Sequence, residues 1–92
     1  MNTAAKGRSA EHRSRRILEA AGFEVVRAAA SKGPFDLVGI GCNGIALVQV
    51  KCTRWPSPAE CEALALFPAP TNAVKLVYRW RPRARQPDVR EL

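Results

Sequence analysis

The chain has 92 residues, of which 47% are hydrophobic and 25% charged, and this composition excludes a disordered tail or a fibrous repeat. The length predicts one domain over residues 1–92, built around a single core. Fifteen Lys and Arg residues against eight Asp and Glu give a net charge of +7, which favours a polyanionic partner such as DNA.

The first predicted element is a helix over residues 9–21. Apolar or small side chains recur there at helical spacing, namely Ala10, Ser14, Ile17, Leu18 and Ala21. Ser9 is of a residue type that caps helix N-termini, and Gly22 is placed to end the helix. A short strand over residues 23–27 should follow, and then a loop of small residues, 28–33.

Two apolar runs come next, at residues 36–40 and 45–51, with Gly-Cys-Asn-Gly between them. Asn-Gly is a strong signal for a two-residue hairpin turn, so the runs are predicted to be antiparallel neighbours. With the Asn-Gly pair as the turn, Asp36 would lie opposite Lys51. The sequence therefore predicts a hairpin with a defined register.

A second helix is predicted from the capping-box pattern Ser-Pro-Ala-Glu at residues 57–60, with a stop at Pro68. Residues 73–80 form an apolar and aromatic run that is typical of a buried last strand. The tail after it, 83–92, should be irregular, with a short edge strand near Val89. The order helix, three strands, helix, strand predicts an α/β sandwich in which the second helix makes the crossover.

Three polar side chains should meet at the open end of the hairpin. Gln49 and Lys51 are two apart on a strand and share a face, and the predicted register brings Asp36 to that face. An acid, an amide and an amine are costly in an apolar setting unless they are paired or bind something, so they form a candidate site. From the residues alone, an ordinary Asp36–Lys51 ion pair with Gln49 on a wet face is equally open.

The spacing of these residues resembles the PD-(D/E)XK nuclease superfamily. Asp36 is followed after twelve residues by Gln49-Val50-Lys51, and Glu11 precedes it in the first helix. The segments GFEVVRAAAS at 22–31 and FDLV at 35–38 more closely resemble archaeal-type Holliday junction resolvases. The implied fold is a restriction-endonuclease-like αβββαβ core, with a central mixed sheet flanked by helices, and this agrees with the order predicted from the elements.

The resemblance also implies roles for individual residues. Asp36 would be the central metal-binding carboxylate, Glu11 would complete the metal site, and Lys51 would orient or activate the attacking water. Ser31 matches a serine that these resolvases use close to the scissile phosphate. Mg²⁺ is the implied cofactor, and Mn²⁺ should substitute. Gln49 stands where most members have Glu, so the metal set has one negative charge fewer and should bind the ion more weakly.

Basic side chains flank the predicted site and could position DNA phosphates there: Arg13, Arg16, Arg27, Lys32 and Arg54. For any one of them, a solvated surface charge is as good an interpretation. The basic residues are concentrated in two groups, Lys6, Arg8, Arg13, Arg15 and Arg16 near one end and Arg79, Arg81, Arg83, Arg85 and Arg90 near the other. If the two ends meet in the fold, they form one positive surface.

The implied function is a metal-dependent, structure-selective endonuclease that hydrolyses phosphodiester bonds of branched DNA, above all four-way junctions in recombination and repair. Cutting a junction symmetrically needs two active sites, so a homodimer is implied. Two alternatives stay open. One is a catalytically silent DNA-binding relative, of which Gln49 would be the sign. The other is a restriction or homing-type endonuclease, although 92 residues leave little room for segments that read bases.

Other chemistry is not indicated by the sequence. Cys42, Cys52 and Cys61 form no Cys-X-X-Cys pair, and His12 is the only histidine, so no four-ligand zinc site is predicted. We expect reduced thiols in a cytoplasmic protein. No apolar run approaches the ~20 residues of a membrane span. Trp55, Tyr78 and Trp80 could stack on bases, but aromatic residues in or beside a sheet are more often core.

Overall fold

The computed structural model describes residues 3–28 and 34–92, with helix side chains from Gly7 onward. The elements are α1 (Thr3–Ala20), β1 (Glu24–Arg27), β2 (Leu37–Ile40), β3 (Ile45–Cys52), α2 (Pro58–Leu66), β4 (Ala73–Trp80) and β5 (Asp88–Glu91). The strands form one sheet in the order β1-β2-β3-β4-β5, in which only β3 and β4 are parallel. The predicted α/β class, element order and edge strand near Val89 are confirmed.

The core lies on both faces of the sheet. On one face, Leu18 of α1 packs into a cluster with Val25, Leu37, Ala46, Val48 and Tyr78. On the other face, Leu64 of α2 packs with Phe35 and Val77. Because adjacent strand residues such as Val77 and Tyr78 point to opposite faces, the two helices flank the sheet. Neither helix in the described ranges has the length and apolarity that a membrane span requires.

Helix α1 starts earlier than predicted and ends where predicted. Ser9 is an exposed residue inside the helix and not its N-cap, because the helix extends back to Thr3 through Ala and Lys residues of high helix propensity. Gly22 has a φ of 98°, its N–H donates to Glu19 O (3.0 Å), and the N–H of Phe23 donates to Leu18 O (3.0 Å). This is the Schellman arrangement, in which glycine takes the left-handed position.

Ser14 joins α1 to the last long strand through buried hydrogen bonds. Its hydroxyl donates to Ala10 O (2.8 Å) and accepts from Trp80 Nε1 (2.8 Å), and the residue is fully buried. We expect Ser14→Ala to lower the free energy of unfolding by about 1–3 kcal/mol, because the buried indole N–H loses its acceptor. Urea unfolding measures this.

Ser9→Ala is the matched control, since it makes the same change on an exposed position of the same helix. It should shift the unfolding free energy by less than about 0.5 kcal/mol. If Ser9 were the N-cap of α1, Ser9→Ala would lower the free energy of unfolding by about 1 kcal/mol. Equal stability of Ser14→Ala and the wild type would contradict the role given to the Trp80 contact.

The β2–β3 hairpin has a register that differs from the predicted one. Ile40 pairs with Ile45, so the connecting loop has four residues, 41–44, and not two. Each β2 residue therefore faces a partner two positions earlier in β3 than predicted. A shift of two residues leaves every strand side chain on its predicted face. Continued by one residue, the register brings Asp36 beside Gln49 instead of Lys51.

Gly44 explains the difference in register. A two-residue Asn-Gly hairpin turn needs positive φ at both residues, and neither Asn43 nor Gly44 has one. Gly44 is instead required for close packing, because a Cβ there would clash with the backbone oxygen of Asn72. The loop is closed by a hydrogen bond from Gly41 N to Gly44 O (2.8 Å), with Cys42 at its tip.

Helix α2 has the predicted N-terminus. The Ser57 hydroxyl accepts from Glu60 N (3.2 Å), and the Glu60 carboxylate accepts from Ser57 N (3.2 Å), which is a reciprocal capping box. Pro58 occupies the first helical position and the C-cap is Phe67, just before the predicted stop. The helix is the crossover between parallel strands β3 and β4.

Candidate active site

Asp36 is fixed at the point where β2 begins. Its N–H donates to Val48 O (2.8 Å), and its Oδ2 accepts from Val50 N (2.8 Å). The Val50 N–H is directed toward the β2 side of β3, so the carboxylate takes the place of a strand carbonyl as its acceptor. The backbone of β3 therefore sets the orientation of this side chain.

The environment of Asp36 disfavours its charge. Burial raises the pKa of the carboxyl above its ordinary value, and the nearby Glu11 carboxylate adds to the rise. The Val50 hydrogen bond and the charges of Lys51 and Arg27 act in the opposite direction without cancelling it. A half-buried carboxylate with a raised pKa beside a second carboxylate is a group that a bound cation would stabilise.

Glu11 reaches this region from α1. It is half-buried, and its Oε1 accepts a hydrogen bond from Arg27 Nε at 3.0 Å. Arg27 lies at the end of β1 and pairs with Leu37 in the sheet, so the contact ties α1 to the strand next to Asp36. The structure thus brings Glu11 close enough to Asp36 for the two charges to interact, as the prediction required.

Gln49 lies in β3 with its side chain directed toward the segment that precedes β2. Its Nε2 donates weakly to Pro34 O (3.4 Å). Its Oε1 is buried and has no hydrogen-bond partner among the described residues. A buried carbonyl oxygen without a hydrogen-bond partner lowers the stability of the fold. A metal ion bound to that oxygen would remove this penalty. Of the two ends of this amide, the oxygen is the one that a metal ion would bind.

Lys51 extends along the same face toward α2. Its Nζ lies 3.6 Å from Glu60 Oε2, and its side chain is 30% exposed. Within the described ranges it forms no ion pair with Asp36, so the alternative of a simple cross-strand Asp36–Lys51 pair is wrong. Hydrogen bonds from Ser57 and the Lys51 charge lower the pKa of Glu60, which keeps this carboxylate ionised.

The oxygen donors at the site are two carboxylates and one amide. Among residues 3–28 and 34–92, no set of three or more His, Cys, Asp or Glu side chains is placed to hold a metal ion. Gln49, the third polar side chain of the site, is an amide and is not one of these residue types. Asp36, Glu11 and the Gln49 oxygen nevertheless supply atoms of the kind that Mg²⁺ accepts.

The predicted DNA-binding residues occupy different surroundings. Arg13 lies over the Trp80 ring (4.0 Å) and donates to Ala84 O, so the two basic ends of the chain meet. Arg27 is engaged by Glu11. Arg16 on α1 and Arg54 after β3 are exposed. The remaining predicted site residues, Ser31 and Lys32, lie outside the described residues.

Sequence reasoning missed the contact between Lys51 and Glu60. The pattern at 57–60 identified Glu60 as a capping residue, and its role in the capping box is confirmed. Nothing local in the sequence indicates that its second oxygen faces Lys51, because the contact depends on how residues 53–56 turn back. Thr53 in that turn has a φ of 75°, a conformation that the residue type does not predict.

Comparison with known proteins gives two findings. The model of a family described as archaeal Holliday junction resolvase (Hjc) matches residues 2–60, a segment that includes all the site residues discussed above. Among solved structures, Hjc of Archaeoglobus fulgidus, a Holliday junction resolvase from an archaeal hyperthermophile, is 27% identical, with a TM-score of 0.69 over 95% of this chain and 71% of that chain. A search of curated proteins found no match. The predicted resemblance is confirmed, and the chain belongs to the archaeal Holliday junction resolvase family.

Proposed function

We propose that this chain is a metal-dependent endonuclease that cuts branched DNA, with the four-way junction as its substrate. Family membership indicates a Holliday junction resolvase, and therefore a nuclease. The observation that carries the proposal is the buried Gln49 oxygen beside Asp36, which has no hydrogen-bond partner among residues 3–28 and 34–92, together with the raised pKa of Asp36. Both features are unfavourable in isolation, and a bound cation would make both favourable.

The residues present would bind a magnesium ion, with low affinity because Gln49 carries no charge. Asp36, Glu11 and the Gln49 oxygen would hold Mg²⁺ or Mn²⁺, which would supply positive charge at the phosphate oxygens and acidity for the attacking water. Asp36 is held for this purpose by the Val50 N–H. Glu11 is held by Arg27, so both carboxylates are oriented before any ion arrives.

Lys51 supplies the second positive charge of the proposed mechanism. Its ammonium group would lie against a non-bridging oxygen of the scissile phosphate and stabilise the charge that develops there. Glu60 restrains the long side chain from the other side, at 3.6 Å. Because the contact is long and partly exposed, it orients the amine without removing it from the site.

Symmetrical cutting of a junction needs two active centres, so the proposed role calls for a homodimer with one centre in each chain. The second candidate function, a catalytically silent DNA-binding relative, is favoured by one observation. Gln49 contributes no charge, so the site has less to attract a divalent ion.

A cleavage assay separates the two candidates. The protein is incubated with end-labelled four-way junction, or with linear duplex of the same sequence, in Mg²⁺ and in Mn²⁺. We expect cleavage of the junction near its branch point, with the duplex left intact. Junction binding without cleavage in either metal would favour the silent relative. Equal cleavage of junction and duplex would contradict structure selectivity.

Gln49→Glu should increase metal affinity. A carboxylate at this position adds a full negative charge to the proposed set, and we expect the dissociation constant for Mn²⁺ to fall about tenfold or more. Without metal the same change should lower stability, because two carboxylates on paired strands would repel each other. Calorimetric Mn²⁺ titration and thermal unfolding with and without Mg²⁺ measure the two effects independently of activity.

Gln86→Glu is the matched control, since Gln86 is exposed and the change in net charge is the same. It should leave Mn²⁺ affinity within about twofold of the wild type, because an exposed charge is screened by water and salt. If Gln49→Glu and Gln86→Glu behaved alike, the amide of Gln49 would not be part of a metal site.

A further inference from the structure

Two arginines lie over Trp55 at the end of the sheet where Lys51 lies, and two more adjoin this group. The guanidinium carbon of Arg79 lies 4.6 Å, and that of Arg90 4.2 Å, from the centre of the Trp55 ring. Arg54 precedes Trp55 in the chain and is exposed. Arg81 belongs to the group because it and Arg79 both contact Asp88. We call this set, Arg54, Arg79, Arg81 and Arg90 around Trp55, the Trp55 surface.

Strand register connects the Trp55 surface to the proposed active site. Lys51 of β3 is paired with Arg79 of β4, and Arg79 is paired with Asp88 of β5. Two residues earlier in β3, Gln49 is opposite Val77, which is opposite Arg90. Neighbouring strands lie about 4.8 Å apart, so Arg90 is about 10 Å across the sheet from Gln49. The polar side chains of Lys51, Arg79 and Asp88 therefore form a row from the site to the β5 edge.

Asp88 organises the Trp55 surface and does not neutralise it. Its Oδ2 accepts from Arg79 Nε (3.2 Å) and lies 3.1 Å from Arg81 Nε. These contacts, the Arg79 hydrogen bond above all, lower the pKa of Asp88. One carboxylate thus faces two guanidinium groups. Within the described ranges, no carboxylate lies within ion-pair distance of Arg90 or Arg54, so the surface keeps an excess of positive charge.

The chemistry of the Trp55 surface suits phosphate and not a base. Two guanidinium groups already lie over the Trp55 ring and would compete with a base for stacking on it. A guanidinium that is restrained by stacking loses less freedom when it binds, and its planar fork matches phosphate oxygens. Arg79, Arg81 and Arg90 also lie beyond residue 60, where the family match ends, so that match assigns them no role.

We propose that the Trp55 surface binds phosphates of the DNA strand next to the scissile phosphate and so orients one arm of the substrate over Lys51. The proposal rests on the proposed function, because it takes the DNA to be the strand that the active site holds. Arg90 and Arg54 make the phosphate contacts. Arg79, Trp55 and Asp88 hold that edge of the surface in place.

The test is the salt dependence of DNA binding. Each phosphate contact contributes about −0.9 to the slope of log affinity against log salt concentration. Arg90→Gln should reduce the slope by about one per chain and weaken binding roughly fivefold to tenfold at 0.1 M salt. The double variant Arg54→Gln/Arg90→Gln should lose about two. Arg90→Lys, which keeps the charge but loses the stacked planar fork, should keep the wild-type slope while binding more weakly.

Arg85→Gln is the matched control, because Arg85 is exposed, lies outside the Trp55 surface and carries the same charge. If the double variant and Arg85→Gln shifted the slope alike per charge removed, the Trp55 surface would be ordinary surface charge and the proposal would be overturned.

The failure of the proposed function is separately visible. A wild-type chain that binds DNA with the expected slope changes but does not cut it would support the Trp55 surface and contradict the nuclease. A wild-type chain that binds no DNA would overturn both.

Discussion

Asp36→Asn should slow junction cleavage about a thousandfold while leaving junction binding within about threefold. The change removes one negative charge from the proposed metal set and keeps an oxygen that accepts from the Val50 N–H, so the geometry of the strand end is retained. A metal ion supplies several kcal/mol of transition-state stabilisation, and about 4 kcal/mol corresponds to a thousandfold change in rate. Single-turnover cleavage of labelled junction measures the rate.

Stability provides a readout of the same variant that does not depend on activity. Burial and Glu11 raise the pKa of Asp36 in the folded chain above its value in the unfolded chain. The stability that the neutral form contributes is therefore complete below the unfolded pKa and is lost as the pH rises through the folded pKa. Without metal, Asp36→Asn should be more stable than the wild type at pH 7, with the difference disappearing at about pH 3.

Added Mg²⁺ should reverse this order. It should raise the unfolding temperature of the wild type by mass action and leave that of Asp36→Asn nearly unchanged. A thousandfold loss of cleavage without any difference in Mg²⁺-dependent stability would show that Asp36 acts in some way other than as a metal ligand. Cleavage at the wild-type rate by Asp36→Asn would remove Asp36 from the active site.

Lys51→Gln should slow cleavage about a hundredfold, with Mg²⁺ affinity unchanged or slightly higher. The amine is proposed to stabilise charge on the phosphate, and loss of one such contact costs about 10²–10³ in rate. Because removal of a nearby cation favours binding of another, metal affinity should not fall. The rate under single-turnover conditions and the Mn²⁺ dissociation constant are the two measurements.

Glu60→Gln is the control for helix stability in this experiment. Glutamine retains the capping box with Ser57, so α2 should remain intact, while the charge that faces Lys51 is removed. We expect a loss of less than about fivefold in rate, since Glu60 orients the amine and does not touch the phosphate. If Glu60→Gln were as slow as Lys51→Gln, Glu60 would have a direct part in the reaction. If Lys51→Gln cut at the wild-type rate, the role of Lys51 would be wrong.

The parts of this fold that depend on local pattern were predictable from the sequence. Helix α2 follows from its capping box, and the end of α1 follows from Gly22, whose positive φ other residues adopt poorly. The order of the strands follows from apolar runs that are too short for helices. That these elements assemble as a nuclease fold came from resemblance, which the family match confirms.

The hairpin register was not predictable, because it depends on a contact distant in sequence. Gly44 is adapted to the backbone of Asn72 and not to a positive-φ turn, and no feature of residues 41–44 indicates this. Asp36, Gln49 and Lys51 nevertheless lie on the predicted face, because a shift of two residues keeps strand side chains on their faces. The partner of Lys51 did change, from the predicted Asp36 to Glu60.

The buried oxygen of Gln49 was also beyond sequence reasoning. The resemblance implied one negative charge fewer at the site than in most members of the superfamily, and from this we predicted weaker metal binding. The structure adds that the remaining amide oxygen is orphaned in the interior, where it is directed to no donor among the described residues. The burial of this oxygen supports a site that retains a metal ligand at position 49, in contrast to a site in which the side chain is exposed to solvent.

One experiment shows whether this chain cuts junctions with a metal held around Asp36. Wild-type protein at saturating concentration is incubated with labelled four-way junction in EDTA and then with Mg²⁺ restored, and binding and cleavage are both recorded. We expect the junction to be bound in both conditions and to be cut only when Mg²⁺ is present. Cleavage that persists undiminished in EDTA, or a bound junction that stays intact in Mg²⁺ and in Mn²⁺, would contradict this expectation.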